Sequence, residues 1–197
     1  MEFNPKDLNE KEVYKLLSGS VVPRPIAWVS TISKDGEMNL APFSFFTVVS
    51  RNPPMLCISV GPGVGERAGT EKDTLVNIRE QGEFVINVVT GALGDQMHKS
   101  SENLPSEVNE FQAVGVTPIE SKLVQPKRVQ ESPIQMECKL EQVIKLGTDH
   151  LIIGQMVYYH IQDQYYLPDH KVNFAELQPL GRLAGTYSPF TRVVELG

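Results

Sequence analysis

The sequence predicts a mainly β protein in which an antiparallel barrel, closed or half-closed, carries peripheral helices. Three observations indicate this fold class. Two long segments with strand character, Ile134–Leu146 and His150–Ile161, are separated only by the hairpin-length connection Gly147-Thr148-Asp149. Several shorter segments rich in β-branched and aromatic residues precede them. No alternation of strands and helices of the dinucleotide-binding type is found, and 197 residues suit one domain with a sizeable core.

The individual elements follow from local patterns along the chain. Ile26–Ser33 alternates and runs into Asp35-Gly36, a dipeptide typical of hairpin turns, whereas Ser50–Pro54 holds two prolines and is predicted as a loop. Ala92–Phe111 is polar and is predicted to cross the surface. The predicted strands are Ile26–Ser33, Phe43–Val49, Met55–Val60, Glu83–Val89, Ile134–Leu146 and His150–Ile161. The predicted helices are Asn9–Leu17, Thr74–Gln81 with Asp73 as its cap, and a short patch within Asn173–Tyr187.

Composition and charge exclude several function classes. A net charge of −6 and a pI near 5.3 argue against a nucleic-acid partner and leave room only for a local basic pocket. No apolar run approaches the roughly 20 residues that span a bilayer, and the polar N-terminus lacks signal-peptide features, so we expect a cytoplasmic protein. Cys57 and Cys138 lie in apolar segments and are expected to be buried thiols. The four histidines lack metal-ligand spacing, so no metal site is expected.

A phosphate site is predicted where a helix begins, at Lys72-Asp73-Thr74. The preceding glycine-rich run, Gly61–Gly65, matches neither a P-loop nor the dinucleotide-binding fingerprint and is expected to be a loop. At Lys72–Thr74 a cation, a hydroxyl and the free N–H groups of a helix N-terminus coincide, which is the arrangement that holds phosphate. The alternative is an ordinary capped helix with a surface lysine. Asp73, as a carboxylate, would repel phosphate, so capping or accepting a hydrogen bond at the edge of the site suits it better.

A site for a planar heterocycle is predicted in Pro42–Ser50. This segment places Ser44 and Thr47 among apolar neighbours and can offer both an apolar wall and polar groups. The alternative is that its phenylalanines are plain core residues, and the same alternative holds for Trp28, the only tryptophan. His150 stands at a strand end, where it could orient a ligand or be a locally bonded turn histidine.

Together these segments resemble the flavin reductase-like family. The matching residues begin with Pro23–Thr31 and continue through Asp35-Gly36 and Ala41–Phe46. Further matches are Ser50–Pro54, Lys72-Asp73-Thr74, Asn77-Ile78, and Asp149-His150 with Gly154. The resemblance extends from about Ser18 to about Gly185 and includes flavoredoxins and the reductase components of two-component monooxygenases. It implies the FMN-binding split barrel, a Greek-key antiparallel barrel, as one domain over residues 1–197, with a core of about 18–185 and a tail of 186–197.

The resemblance also implies a cofactor, a reaction and a set of site residues. FMN would bind non-covalently near the interface of a homodimer, and NADH or NADPH would deliver hydride to the flavin N5. Thr31 and the Ser44–Thr47 strand would meet the ring, Ser59 to Gly61 would follow the ribityl chain, Lys72 and Thr74 would hold the phosphate, and His150 would line the nicotinamide side. The implied cofactor-binding set is Thr31, Ser44, Phe45, Phe46, Thr47, Ser59, Val60, Gly61, Lys72, Asp73 and Thr74.

The function implied is an NAD(P)H-dependent flavin reductase that supplies reduced flavin or electrons to a partner such as a monooxygenase. No side chain need act as acid or base, because the protein positions two reacting rings. The alternatives are a flavoredoxin-like electron carrier, a non-catalytic flavin-binding module, or a structural barrel without flavin. One departure concerns the ring site: many family members have Asn-Ser-Phe where this chain has Ser44-Phe45-Phe46.

Overall fold

Short helices surround a set of antiparallel strands. The computed structural model describes residues 1–102, 104–105, 108–192 and 194. The helices are α1 (Glu10–Ser20), α2 (Asp73–Gln81), α3 (Gly94–Lys99), α4 (Glu110–Val114) and α5 (Phe174–Leu177). The strands are β1 (Arg24–Pro25), β2 (Ala27–Ile32), β3 (Met38–Phe43), β4 (Phe46–Arg51), β5 (Pro54–Val60), β6 (Glu83–Val88), β7 (Pro118–Ile119), β8 (Arg128–Val129), β9 (Ile134–Leu146), β10 (Asp149–Ile161), β11 (Tyr166–Leu167), β12 (Lys171–Val172), β13 (Leu180–Arg182) and β14 (Tyr187–Pro189).

Seven strands form one sheet in the order β3-β2-β6-β9-β10-β5-β4, and every neighbouring pair is antiparallel. β9 and β10 make the long hairpin that the sequence predicts. β2 and β3 form a second hairpin around the Asp35-Gly36 turn. The predicted mainly β architecture with peripheral helices is therefore confirmed. No helix in the described ranges is long and apolar enough to cross a membrane.

The two edges of this sheet are joined by a two-residue bend. β3 lies at one edge and β4 at the other, yet only Ser44 and Phe45 separate them in the chain. The sheet must therefore curl until its edges approach each other at this bend, which we call the seam. Arg24 Nε donates to Ser44 Oγ at 3.3 Å, and the Ser59 N–H donates to the Phe45 carbonyl at 2.8 Å. These bonds fix the seam from two directions.

Apolar clusters lie on both faces of the curled sheet. β2 serves both, because Ala27 and Val29 face one cluster while Trp28 faces the other. Trp28 is fully buried and its Nε1 donates to Ser100 Oγ at 2.8 Å, so it is a packing residue. Cys57 and Cys138 are both buried free thiols, as predicted.

The structure corrects two of the predicted elements. The single strand Phe43–Val49 is wrong, because Phe43 ends β3, Phe46 begins β4, and the seam lies between them. The predicted loop Ser50–Pro54 is too long, since β4 continues to Arg51 and β5 begins at Pro54. A proline is tolerated at the first residue of a strand, so the two prolines mark a tight turn here.

The C-terminal part of the chain returns to the β1 region. β13 pairs with β1 on one side and with β14 on the other. β14 belongs to the predicted tail of 186–197, of which residues 193 and 195–197 lie outside the described residues. This small sheet places Arg182 directly opposite Arg24 in the strand register.

Candidate functional site

A cleft of about 540 Å³ opens beside the seam, and we call it the seam cleft. Its walls are mostly apolar, with a few hydroxyl groups and one guanidinium among them. The lining residues are Leu17, Val21, Pro23, Arg24, Pro25, Ser44, Phe45, Phe46, Thr47, Cys57, Ser59 and Leu151. An apolar slot with few convergent polar groups is the usual environment of a planar organic ligand.

Arg24 builds one wall of the seam cleft and is only 5% exposed. Its guanidinium donates to the carbonyls of Ser18 at 2.5 Å, Val21 at 2.7 Å and Leu183 at 2.9 Å, besides Ser44 Oγ. It also lies 5.7 Å from the centroid of the Phe45 ring. Among the described residues it has no carboxylate partner, so this buried positive charge is held by neutral acceptors alone.

A second pocket lies at the N-terminus of α2, and we call it the α2 pocket. It is lined by Asn39, Ala41, Pro42, Gly63, Arg67, Lys72, Asp73, Thr74, Ser100, Ser101, Glu102, Leu104 and Glu110. Lys72 is half-buried, and its Nζ lies 5.5 Å above the Phe43 ring without a hydrogen bond or ion pair to any described residue. Burial lowers the pKa of Lys72, the charge of Arg67 acts in the same direction, and Asp149 opposes them. A bound anion would supply the missing counter-charge.

The start of α2 leaves backbone donors available in the α2 pocket. Lys72 is the N-cap residue and no side chain caps this end, so the first N–H groups and the positive end of the helix dipole face outwards from the helix end. The Thr74 hydroxyl donates to Asn39 Oδ1 at 2.9 Å, and the Thr31 hydroxyl donates to the same oxygen at 3.3 Å. Asn77 Nδ2 completes this buried network by donating to Thr31 Oγ1 at 3.0 Å.

Asp73 does not cap α2, which corrects one predicted role, but it does accept hydrogen bonds at the edge of the pocket, which is the other. It is the first helical residue, because α2 begins one position before the predicted start. Its carboxylate instead accepts two bonds from Arg67, at 2.5 and 2.6 Å. This bidentate pair neutralises the charge that would otherwise repel an anion beside Lys72.

Glu110 is a buried carboxyl group in the wall of the α2 pocket. It accepts a hydrogen bond from the Leu40 N–H, which ties α4 to β3. Burial raises its pKa to about 7; the bond from Leu40 lowers the pKa, Asp73 raises it and Arg67 lowers it. Near neutral pH a large share of Glu110 is therefore uncharged, which reduces the negative charge that this pocket would otherwise place beside Lys72.

The raised pKa of Glu110 predicts a pH dependence of stability. The folded protein holds this proton more tightly than the unfolded chain, whose carboxyl titrates near 4.5. The contribution is therefore fully present below about pH 4.5 and is lost as the pH rises to about 7. Relative to Glu110→Gln, which stays neutral and can still accept from Leu40, the wild type should lose on the order of 2 kcal/mol of unfolding free energy across this window. Urea denaturation of both proteins between pH 4 and 8 measures the difference, and a constant difference would contradict the prediction.

The two cavities are linked through Asp149 at the start of β10. Ser59 Oγ in the seam cleft donates to Asp149 Oδ2 at 3.3 Å. A Cβ at Gly61 would lie 3.6 Å from Asp149 Oδ1, so the chain leaving β5 passes close to this carboxylate. Asp149 in turn acts electrostatically on Lys72. A ligand with a ring at one end and an anion at the other could thus span the seam cleft and the α2 pocket.

Most of the residues that the sequence singles out lie at these two cavities. Five of them line the seam cleft: Ser44, Phe45, Phe46, Thr47 and Ser59. Three line the α2 pocket: Lys72, Asp73 and Thr74. Gly61 lies next to Asp149, whereas Thr31 and Val60 are buried beneath the surface. His150, opposite Val60 in the register, lines neither cavity.

Three further residues of the site were not predicted. Asn39, Arg67 and Glu110 line the α2 pocket, whereas Arg24, which lines the seam cleft, belongs to the matching segment Pro23–Thr31. An asparagine within a strand segment was a usable signal for Asn39, because such a side chain needs partners when it is buried. Glu110 is 70 residues from its partner Leu40, and Arg67, six residues before Asp73, lies in a segment whose loop conformation local pattern does not give.

The chemistry of the seam cleft depends on what is bound in it. Its lining contains no histidine and no carboxylate, so no described residue there can act as a general base. Burial raises the pKa of the Cys57 thiol, which disfavours the nucleophilic thiolate. A reaction in this cleft therefore needs a bound cofactor to carry it.

Comparison with known sequences identifies such a cofactor class. The family model "Flavin reductase like domain" matches residues 18–177, which is most of the chain. The chain belongs to this family. A protein of Aquifex aeolicus with no described function is 43% identical over 187 residues, covering 95% of this chain and 94% of its own length. The resemblance predicted from Pro23–Thr31 and the later motifs is thereby confirmed.

Solved structures of other proteins share the fold of this flavin reductase-like protein. Nitrilotriacetate monooxygenase component B from Bacillus cereus is 36% identical with a TM-score of 0.94, and the match covers 100% of this chain and 98% of that one. A chain from Shewanella frigidimarina described as a flavin reductase with a split barrel domain is 21% identical with a TM-score of 0.86, covering 100% and 98%. The curled sheet with its seam is therefore a split barrel, as predicted.

Membership in the flavin reductase-like family implies a flavin cofactor and oxidoreductase chemistry. The residues present fit such a group. The seam cleft offers an apolar slot with hydroxyl groups for a flat ring, and the α2 pocket offers an unpaired cation and an uncapped helix N-terminus for a phosphate. Asp73 is neutralised by Arg67, which removes the main objection to an anion there.

Proposed function

We propose that the protein is an NAD(P)H-dependent FMN reductase of the cytoplasm that supplies reduced flavin or electrons to a separate acceptor such as a monooxygenase. The observation that carries this proposal is the pairing of an apolar cleft with a pocket that holds the Lys72 ammonium at an uncapped helix N-terminus; Asp149 bonds to Ser59 of the cleft and acts electrostatically on Lys72. A flavin with a phosphate tail matches this pairing, and FMN is the smallest flavin that has one. The relation to nitrilotriacetate monooxygenase component B supports the choice of acceptor class.

Each part of the site has a role in this proposal. FMN, when bound, supplies a ring whose N5 accepts hydride from NAD(P)H. The seam residues Ser44 and Phe45, with Phe46 and Thr47, would hold the ring and exclude water from one of its faces. Lys72 and the N-terminal N–H groups of α2, that of Thr74 among them, would hold the phosphate, while the Thr74 hydroxyl stays bonded to Asn39. Thr31 is buried and would not touch the flavin. Its hydrogen bond to Asn39 would orient that side chain, which in turn bonds to Thr74.

A second copy of the chain would complete the molecule as a homodimer. β4 is an edge strand, and Val48 and Val49 on it are 63% and 49% exposed. An apolar groove lies beside them, lined by Val48, Ser50, Pro54, Met55, Leu56, Met136, Met156 and Tyr159. Exposed edge strands with apolar side chains are covered in most stable proteins, and a symmetric partner is the common solution. In that dimer, His150 would line the nicotinamide side of the flavin site in the partner subunit.

The decisive experiment uses the visible spectrum of the purified protein. After loading with FMN, the flavin absorbance near the visible maximum is expected to bleach within seconds when NADH or NADPH is added without oxygen. The same protein should turn over either nucleotide in air with added FMN. Bleaching by a reduced partner protein but not by either nucleotide would favour the electron-carrier alternative. A protein that takes up no FMN on titration would refute the proposal.

A further inference from the structure

A further groove lies beside the seam and shares Ser44 with the seam cleft. Its volume is about 190 Å³, and it is lined by Tyr14, Ile26, Pro42, Ser44, Met97, His98, Ser101, Arg182 and Tyr187. We call it the β13 groove. It also shares Pro42 and Ser101 with the α2 pocket. A molecule that occupies the seam cleft could therefore extend over Ser44 into this groove.

The β13 groove is cationic although the protein as a whole is acidic. None of its nine lining residues is a carboxylate, whereas the chain carries a net charge of −6. The Arg182 side chain makes no hydrogen bond or ion pair with any described residue, and its guanidinium lies 4.3 Å from the centroid of the Tyr187 ring. That stacking holds the cation in place while leaving its N–H donors available.

A second arginine adds to this charge. Arg182 on β13 and Arg24 on β1 are directly opposite in the register, so their side chains leave the same face of the small sheet. Like charges in this position repel each other unless something compensates them. Arg24 is satisfied by neutral carbonyl oxygens and has no carboxylate partner among the described residues. An anion bound at Arg182 would neutralise the positive charge that no carboxylate offsets at this pair of arginines.

The groove also offers surfaces for a base or a ribose. The Tyr187 hydroxyl is hydrogen-bonded to His98 Nδ1 at 3.2 Å, which orients both rings at the edge of the groove. Tyr14 from α1 adds a further aromatic surface. Guanidinium and aromatic groups beside each other are the side chains that bind phosphate and flat bases.

We propose that the β13 groove binds the phosphate-bearing part of the nicotinamide dinucleotide, with Arg182 as its main contact. This inference rests on the proposed reductase function, because it assumes that a nicotinamide reaches the seam cleft. The anion at Arg182 is a phosphate in either case. It is the pyrophosphate if NADH and NADPH depend equally on Arg182, and the 2′-phosphate if only NADPH does.

Arg182→Gln tests the assignment, with Arg79→Gln as a matched control. Arg79 lies in the last turn of α2, is exposed, pairs with Glu71 at the surface and lines none of the cavities described above. The dissociation constants of NAD⁺ and NADP⁺ would be measured by calorimetry on the FMN-loaded protein, together with steady-state kinetics for both reduced nucleotides. Arg182→Gln is expected to weaken binding and to raise KM about tenfold for one or both nucleotides, as for a lost charge-assisted contact. The kcat and the dissociation constant of FMN should stay within about twofold, whereas Arg182→Lys should recover part of the affinity because it keeps the charge.

The outcomes separate this inference from the function on which it rests. If the wild type oxidises NADH or NADPH but Arg182→Gln binds both nucleotides normally, the β13 groove is not the dinucleotide site and only the inference fails. If the affinity for FMN itself falls about tenfold, the groove holds the flavin phosphate and the inference is again overturned. If the wild type neither binds nor oxidises either nucleotide, the proposed reductase function fails and the inference fails with it.

Discussion

Arg24→Ala is expected to lower the free energy of unfolding by about 3–5 kcal/mol, because several hydrogen bonds of one buried guanidinium disappear together. These bonds tie two parts of the chain to Ser44 Oγ in the seam: the end of α1, through the carbonyls of Ser18 and Val21, and the segment after β13, through the carbonyl of Leu183. Buried acceptors left without a donor cost more than the bonds themselves contribute. Urea denaturation of the protein without flavin measures the loss.

Two further variants make the Arg24 result specific. Arg24→Lys keeps the charge, but one ammonium group cannot reach acceptors on all three segments, so most of the loss should remain. Arg51→Ala removes an exposed arginine of the seven-stranded sheet and should change the stability by less than about 0.5 kcal/mol. Equal effects of Arg24→Ala and Arg51→Ala would show that the Arg24 bonds contribute little to folding.

Lys72→Ala is expected to weaken FMN binding by roughly 1.5–3 kcal/mol, which corresponds to about 10- to 150-fold in Kd. The reason is that the Lys72 ammonium has no hydrogen bond or ion pair among the described residues and belongs to the N-cap residue of an uncapped helix end. Titration of the protein with FMN, followed by flavin fluorescence, measures the change. The stability of the flavin-free protein should hardly fall, because no contact of Lys72 with a charged partner is lost.

Riboflavin provides the internal control for Lys72→Ala, since it has the same ring but no phosphate. Its affinity should be the same in the variant and in the wild type. Lys34→Ala, in the exposed hairpin turn after β2, should leave the affinity for both flavins unchanged. If Lys72→Ala weakened riboflavin and FMN equally, Lys72 would act on the ring site and the phosphate would bind elsewhere.

The sequence predicts those parts of the fold that are encoded locally. Ile134–Leu146 and the strand after it are long, rich in apolar and β-branched residues and joined by a glycine turn, so the hairpin is recoverable from pattern alone. β3 is missed because Asn39 and Pro42 interrupt its alternation. Asn39 is polar for a reason that local pattern cannot show, namely that it accepts hydrogen bonds from Thr31 and from Thr74, which lies 35 residues further along.

The residues of the candidate site likewise fall into those that local sequence predicts and those that only the folded chain reveals. Lys72 and Thr74 can be found from sequence, because the start of a helix is a local signal and these residues occupy it. The pairing of Arg67 with Asp73 and the burial of Glu110 against Leu40 depend on how the chain returns to the same place. The role of Arg24 is equally hidden, since its acceptors come from α1, from the seam and from the segment after β13. Sequence therefore predicts which ligand chemistry is present, whereas the electrostatic balance around it requires the fold.

The seam has a consequence for how binding and folding depend on each other. The α2 pocket takes Asn39, Ala41 and Pro42 from one margin of the sheet, and the seam cleft takes Phe46 and Thr47 from the other. A ligand that fills both cavities would therefore contact both edge strands, β3 and β4, and hold the two edges of the sheet together. Binding of such a ligand and folding of the barrel are then coupled, because a ligand that binds only the folded barrel stabilises it, and more so the higher its affinity.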